Sequence, residues 1–254
     1  MNTISIHILL GGLGLVIGRV LNRFAAHYSR KEKILDSITK CEYCRRQLTL
    51  VEYLPVIGYW IASGRRRCCQ QSLPIRQPML ELGVGIMYVL LYHWFGMSLN
   101  LLSSLLFATY LFAGMRVDLE QRLIPNKITF SGIGIGLLSA LIFSSPGVWD
   151  SLLGVIACGG FLYAGGMIGE WLFKKPHAMG GGDIKYAAMI GAFLGWEKGL
   201  WAVYLATVAA VLFGLIMMLI HRNRQKGNEI CFGPFLAGGA LALLLFGNLY
   251  MILF

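Results

Sequence analysis

The chain has 254 residues, 57% of them hydrophobic and 13% charged, with a mean hydropathy of +0.66 and a net charge of +10 at neutral pH. Soluble domains carry roughly 45–50% apolar and about 25% charged residues, so a single water-soluble core is excluded and an integral membrane protein is indicated. In a soluble chain the basic excess would suggest nucleic acid or acidic lipid. In a membrane protein it gathers in cytosolic loops, and no nucleic-acid partner is expected.

A spanning helix needs about 20 mostly apolar residues. Windows of that size place eight spans in the chain, at 5–22, 79–97, 100–117, 128–145, 149–173, a short one at 184–196, then 200–220 and 230–252. The first apolar run, 4–17, has no Lys or Arg before it, and Arg19 and Arg23 follow it. A signal peptide has the opposite order, so a retained helix with its N-terminus outside is expected. That orientation puts Arg30, Lys31, Lys33, Lys40, Arg45, Arg46, Arg65, Arg66, Arg67 and Arg76 in the cytosol. It does the same for the turn around Arg122 and Lys127, the loop 174–185, and Arg222, Arg224 and Lys226. Of the 22 Lys and Arg, only Lys198 then falls outside, and omitting the short sixth span would break the pattern. The fold class expected is therefore an all-α polytopic membrane protein with eight transmembrane helices and both termini outside. Its parts would be a first helix over 1–22, a cytosolic segment over 23–78, and a seven-helix membrane core over 79–254.

Two of the 12 acids stand apart. Asp118 closes the third span in Arg116-Val117-Asp118-Leu119-Glu120-Gln121-Arg122-Leu123-Ile124-Pro125-Asn126, and Asp183 opens the sixth in Ala178-Met179-Gly180-Gly181-Gly182-Asp183-Ile184-Lys185. An acid at membrane depth is costly and marks a functional site by default. Two spans separate the pair, so parity returns both to the cytosolic end of the bundle. Facing carboxylates share a proton, because like charges held close cannot both ionise easily. The ionised member can then take a proton from water while the protonated one polarises a peptide carbonyl. The plainer reading has each acid paired with Arg116, Arg122 or Lys185. Gly180, Gly181 and Gly182 strip the backbone beside Asp183 of bulk, which leaves room for an extended substrate backbone.

The run Met179 to Lys185, with Ile190-Gly191-Ala192-Phe193-Leu194-Gly195-Trp196 after it, resembles the GxGD signature of the bacterial type IV prepilin peptidases. Asp118 with Pro125-Asn126 resembles that family's first aspartate motif, and Phe232-Gly233-Pro234-Phe235-Leu236-Ala237 its last-helix motif. Gly18-x-x-Leu21-Asn22 resembles its first-helix motif, and Pro78-x-x-Glu81-Leu82 the entry to its second helix. The resemblance implies a bacterial inner-membrane aspartyl endopeptidase with Asp118 and Asp183 as catalytic residues. It implies cleavage of type IV prepilin or pseudopilin leaders after a glycine, at the cytosolic face. It further implies N-methylation of the new terminus with S-adenosylmethionine. His177 stands where relatives often carry Glu.

Four of the six cysteines lie in the cytosolic segment, where a reducing compartment argues against disulfides. Cys41-Glu42-Tyr43-Cys44 is half of a usual zinc site. The second half is irregular: Cys69 matches the family's last cysteine, Arg66 occupies the place of its partner, and Cys68 is displaced beside it. Zinc held by Cys41, Cys44, Cys68 and Cys69 is expected, since so small a segment gains from a staple. No glycine-rich nucleotide signature occurs in the segment. Two readings of Glu81 stay open, a contact to the substrate amine or methyl donor, and an interfacial acid paired with Arg76. A rival function is an ion- or proton-coupled transporter using the same two aspartates, although its acids should lie near the bilayer midplane and no internal repeat is visible.

Overall fold

The computed structural model describes residues 3–30, 41, 44, 46–47, 54–61, 64–65, 68–143, 146–174, 179–220 and 231–253. Much of the expected cytosolic segment lies outside these residues, as do Arg66, His177, the whole of the basic turn 221–229, and the span ends expected at Ser145 and Ile230. The described chain is helical: α1 (Thr3–Arg30), α2 (Ile57–Ile61), α3 (Arg76–Phe95), α4 (Leu99–Gln121), α5 (Asn126–Phe143), α6 (Val148–Phe173), α7 (Gly181–Ile220) and α8 (Gly233–Leu253). Six of these helices are long and apolar enough to cross a membrane, and the shorter run Gly233–Gly247 is also apolar. Exposed Ile4, Ile8, Trp171, Leu219 and many similar residues are the lipid-facing surface such helices require.

The 40-residue α7 covers both the sixth and the seventh expected spans. Gly195, at φ 79° and ψ 179°, interrupts it with a conformation open to glycine. Residues eight apart on a straight helix lie about 12 Å apart. Here a Cβ on Gly199 would come within 3.1 Å of the Gly191 Cα. The chain therefore doubles back at Gly195, and the two limbs are the two expected spans. Eight apolar limbs result, as the loop charges required.

Other boundaries shift for local reasons. Beyond residue 22, α1 continues to Arg30, because nothing in Arg23-Phe24-Ala25-Ala26 breaks a helix and Ala25 and Ala26 are buried. Instead of stopping at Val117, α4 runs one turn past it, so Asp118 lies inside the helix. The helix ends where Arg122 turns left-handed (φ 55°) and its N–H reaches the Asp118 carbonyl at 2.8 Å.

Two compact units emerge, Met1–Leu101 and Leu102–Phe254. This boundary differs from the expected break after residue 78, because α3 belongs with α1. A Cβ on Gly18 would lie 2.7 Å from the Glu81 Cα, and one on Gly14 2.8 Å from the Gly85 Cα. The two backbones touch, as small residues permit in membrane helices. In the second unit the first limb of α7 is buried on every side from Tyr186 to Gly195, which marks a central helix. It packs against α6 where Gly154 meets Gly191, and against α5 where Gly136 meets Ala192. Cys158 is fully buried at this junction, a packing residue.

Candidate active site

Asp118 is 4% exposed on α4. Asp183 is half-buried in the first turn of α7, where its N–H bonds the Gly180 carbonyl at 3.0 Å. The two carboxylates lie within electrostatic reach of each other. Arg116 pairs instead with Glu120 at 3.0 Å, and Lys185 donates to Asn126 Oδ1 at 2.8 Å. Among the described residues neither aspartate is held in an ion pair, so the plainer reading of two salt-bridged helix ends has no support there.

One donor does reach the pair. The Gly233 N–H bonds Asp118 Oδ2 at 2.9 Å, from the first turn of α8. A Cβ at that position would lie 2.7 Å from the same oxygen. Only glycine lets the backbone come this close, which gives the Phe232-Gly233-Pro234 motif a role its sequence did not disclose. Tyr186 is a second residue that sequence reasoning missed. It is fully buried one turn after Asp183 and within the field of both aspartates. Its hydroxyl donates to the Leu111 carbonyl at 2.6 Å, and its ring fills the space left by Gly114. Tyr186 thus fixes α7 against α4 and holds the two aspartates in register.

The three glycines are not equivalent. Gly181 and Gly182 belong to the first helical turn of α7. A Cβ on Gly182 would meet the Ile124 backbone at 3.3 Å, so that glycine admits the 123–125 loop. A Cβ on Gly180 would meet Asp183 Oδ2 at 3.0 Å, and one on Gly181 would meet nothing within 4 Å. Open space beside the dyad is therefore at Gly181.

In the first unit the four thiols come together. The Sγ atoms of Cys41, Cys44, Cys68 and Cys69 all lie within 4.8 Å of one another. An antiparallel bridge between Arg65 and Ser72 closes the turn that carries Cys68 and Cys69, and Gln70 (φ 56°) bends it. The bend brings the two neighbouring sulfurs to 3.9 Å. A tetrahedral zinc with Zn–S bonds of about 2.3 Å needs sulfurs about 3.8 Å apart, so the donor set fits zinc. Without a metal, burial and the three crowding thiols push the Cys68 thiol up to about 12.

Glu81 is 1% exposed, and its partner is Arg19 rather than Arg76. Oε1 accepts from Arg19 Nη1 at 3.1 Å and Asn22 Nδ2 at 3.2 Å, and Oε2 accepts from the Val56 N–H at 2.7 Å. Asn22 also donates to the Gln77 carbonyl at 2.9 Å. Val56 sits at φ 58°, an outlier for a β-branched residue. The carboxylate is occupied by these donors, so it ties the 54–61 stretch to α1 and α3.

Fold and site together define a multi-pass helical membrane protein in which two aspartates from separate helices are brought into one place. Residues 105–219 match the type IV leader peptidase family, and residues 13–95 match the bacterial Peptidase A24 N-terminal domain. A prepilin leader peptidase/N-methyltransferase of Pseudomonas putida is 30% identical over 83% of this chain and 72% of its own. The protein of that name from Burkholderia pseudomallei (strain K96243) is 32% identical over 84% of this chain and 68% of its own. One from Pectobacterium carotovorum subsp. carotovorum is 27% identical over 94% and 92%. No solved structure matches. The chain is an enzyme of the type IV leader peptidase family.

Proposed function

We propose that the protein cleaves the leader of type IV prepilins or pseudopilins after a glycine, at the cytosolic face of the bacterial inner membrane. Asp118 and Asp183 are the catalytic pair. The observation that carries this reading is two carboxylates within electrostatic reach of each other that receive, among the described residues, a single donor, the Gly233 N–H on Asp118. One oxygen of Asp118 is thereby oriented and the remaining oxygens stay available as acceptors. A pair of this kind holds one proton. Its ionised member draws a proton from water as the water attacks, and the other protonates the carbonyl oxygen of the scissile bond. The substrate backbone runs past Gly181, with Gly180 and Gly182 keeping the surrounding backbone close.

The four thiolates of Cys41, Cys44, Cys68 and Cys69 hold a zinc ion that fixes the turn structure of the cytosolic segment. It supplies folding free energy and no step of the hydrolysis. N-methylation of the new terminus by S-adenosylmethionine is the second activity, proposed from the names of the relatives.

Leader cleavage of a prepilin by purified protein tests the reading. Asp118→Asn and Asp183→Asn should each abolish cleavage with the fold retained, and full cleavage by either variant would remove the dyad. An ion-coupled transporter would leave the prepilin intact in every form. Metal analysis should find one zinc per chain in the wild type and a loss in Cys41→Ser and Cys69→Ser; an active, metal-free wild type would remove the zinc.

A further inference from the structure

We infer that Gln121 binds the substrate backbone, its side-chain amide donating to a peptide carbonyl of the segment that lies across the two aspartates. The inference rests on the reading of the site as a peptidase. Gln121 Nε2 is buried and has no hydrogen-bond partner among the described residues. Such donors are rare in folded proteins, because the lost hydration is not repaid. Ser151 Oγ also has no partner among the described residues, but it belongs to the first turn of α6, and a hydroxyl can turn toward its own helix.

Gln121 differs by its place. It is the last residue of α4, three after Asp118, and so shares a helix face with it. The left-handed Arg122 follows, and then the loop whose Ile124 backbone lies against Gly182. Gln121 therefore stands where the Asp118 turn meets the glycine loop, and its amide, covered in the free enzyme, is uncovered as the substrate segment enters between them. An extended peptide brings one N–H and one C=O per residue into such a site. A bound segment displaces the water that would otherwise satisfy both groups, and the protein must then do so. Carboxylates can accept from the N–H groups, but a carbonyl needs a donor. Gln121 offers one without charge, whereas a Lys or Arg there would favour ionisation of both aspartates and remove their shared proton.

The test compares wild type with Gln121→Leu, each as the full chain, on the same prepilin. With its carbonyl partner lost, Gln121→Leu should cleave with kcat/KM reduced about 10-fold. Without substrate, its unfolding temperature should hold or rise, since a buried unpaired donor has been removed. Gln121→His, which keeps an N–H donor, should recover part of the lost rate. A fall in unfolding temperature that accompanies the lost activity would make Gln121 a structural residue and overturn the inference. Undiminished cleavage by Gln121→Leu would do the same. A wild type that leaves the prepilin intact removes the peptidase reading and this inference with it, whereas a loss confined to the variant bears on Gln121 alone.

Discussion

Each unit of the molecule buries an acid among apolar helices, and the two acids are treated in opposite ways. Glu81 receives donors on both oxygens, from Arg19, Asn22 and Val56. Among the described residues Asp118 receives one, from Gly233, and has a second carboxylate within electrostatic reach where a cation would have been the stabilising choice. A buried carboxylate saturated with donors holds structure together. One left with spare acceptors beside a like charge is unfavourable for the fold, and proteins tolerate such strain chiefly where chemistry needs it. Burial alone therefore does not separate a structural acid from a reactive one. The count and sign of its partners do.

Substitutions that exchange these two states test the comparison. The largest effect after loss of an aspartate itself should come from Gly233→Val, whose side chain has no room beside Asp118. A displacement of about 1 Å in such a site costs about 100-fold in rate. Steady-state cleavage should fall by about that factor, and wild-type rates would show that the Gly233 contact is dispensable. Glu81→Ala should act on stability, removing the carboxylate on which Arg19, Asn22 and the Val56 N–H converge and costing about 3 kcal/mol. Chemical or thermal unfolding reads that loss, while cleavage per folded molecule should stay near wild type. A selective loss of turnover at unchanged stability would return Glu81 to the reacting groups. Tyr186→Phe is the mildest change. It deletes the 2.6 Å bond to Leu111 and should cost about 1 kcal/mol in unfolding, with a small drop in kcat as α7 loosens against α4.

The spans were legible because apolar length and loop charge act locally along the chain. The doubling back at Gly195 was legible from the break at Glu197-Lys198-Gly199 and from charge parity, which requires the short sixth span before it. Asp118 and Asp183 were legible because acids are scarce and their parity could be counted. Their surroundings were not. Arg76 was the near neighbour in sequence, but Arg19 sits beside Glu81, because Gly14 and Gly18 let α1 close on α3. Likewise Gly233 lies 115 residues beyond Asp118, and only packing brings its N–H there. The cluster of four thiols was half legible. The first pair has regular spacing, whereas the use of Cys68 depends on a backbone bend at Gln70 that no spacing rule encodes.

The hairpin at Gly195 also sets a depth. From Gly181 to the turn, the first limb of α7 rises about 21 Å, against a hydrocarbon layer of about 30 Å. A limb anchored at one face of the bilayer by that turn ends about 9 Å short of the other. Asp183 is thus set back from that face, at the end of a limb enclosed by other helices. Hydrolysis consumes water, so the shortfall becomes the supply route: a short helix at the centre of a bundle leaves a well above its end, walled by protein, through which solvent can reach the two carboxylates.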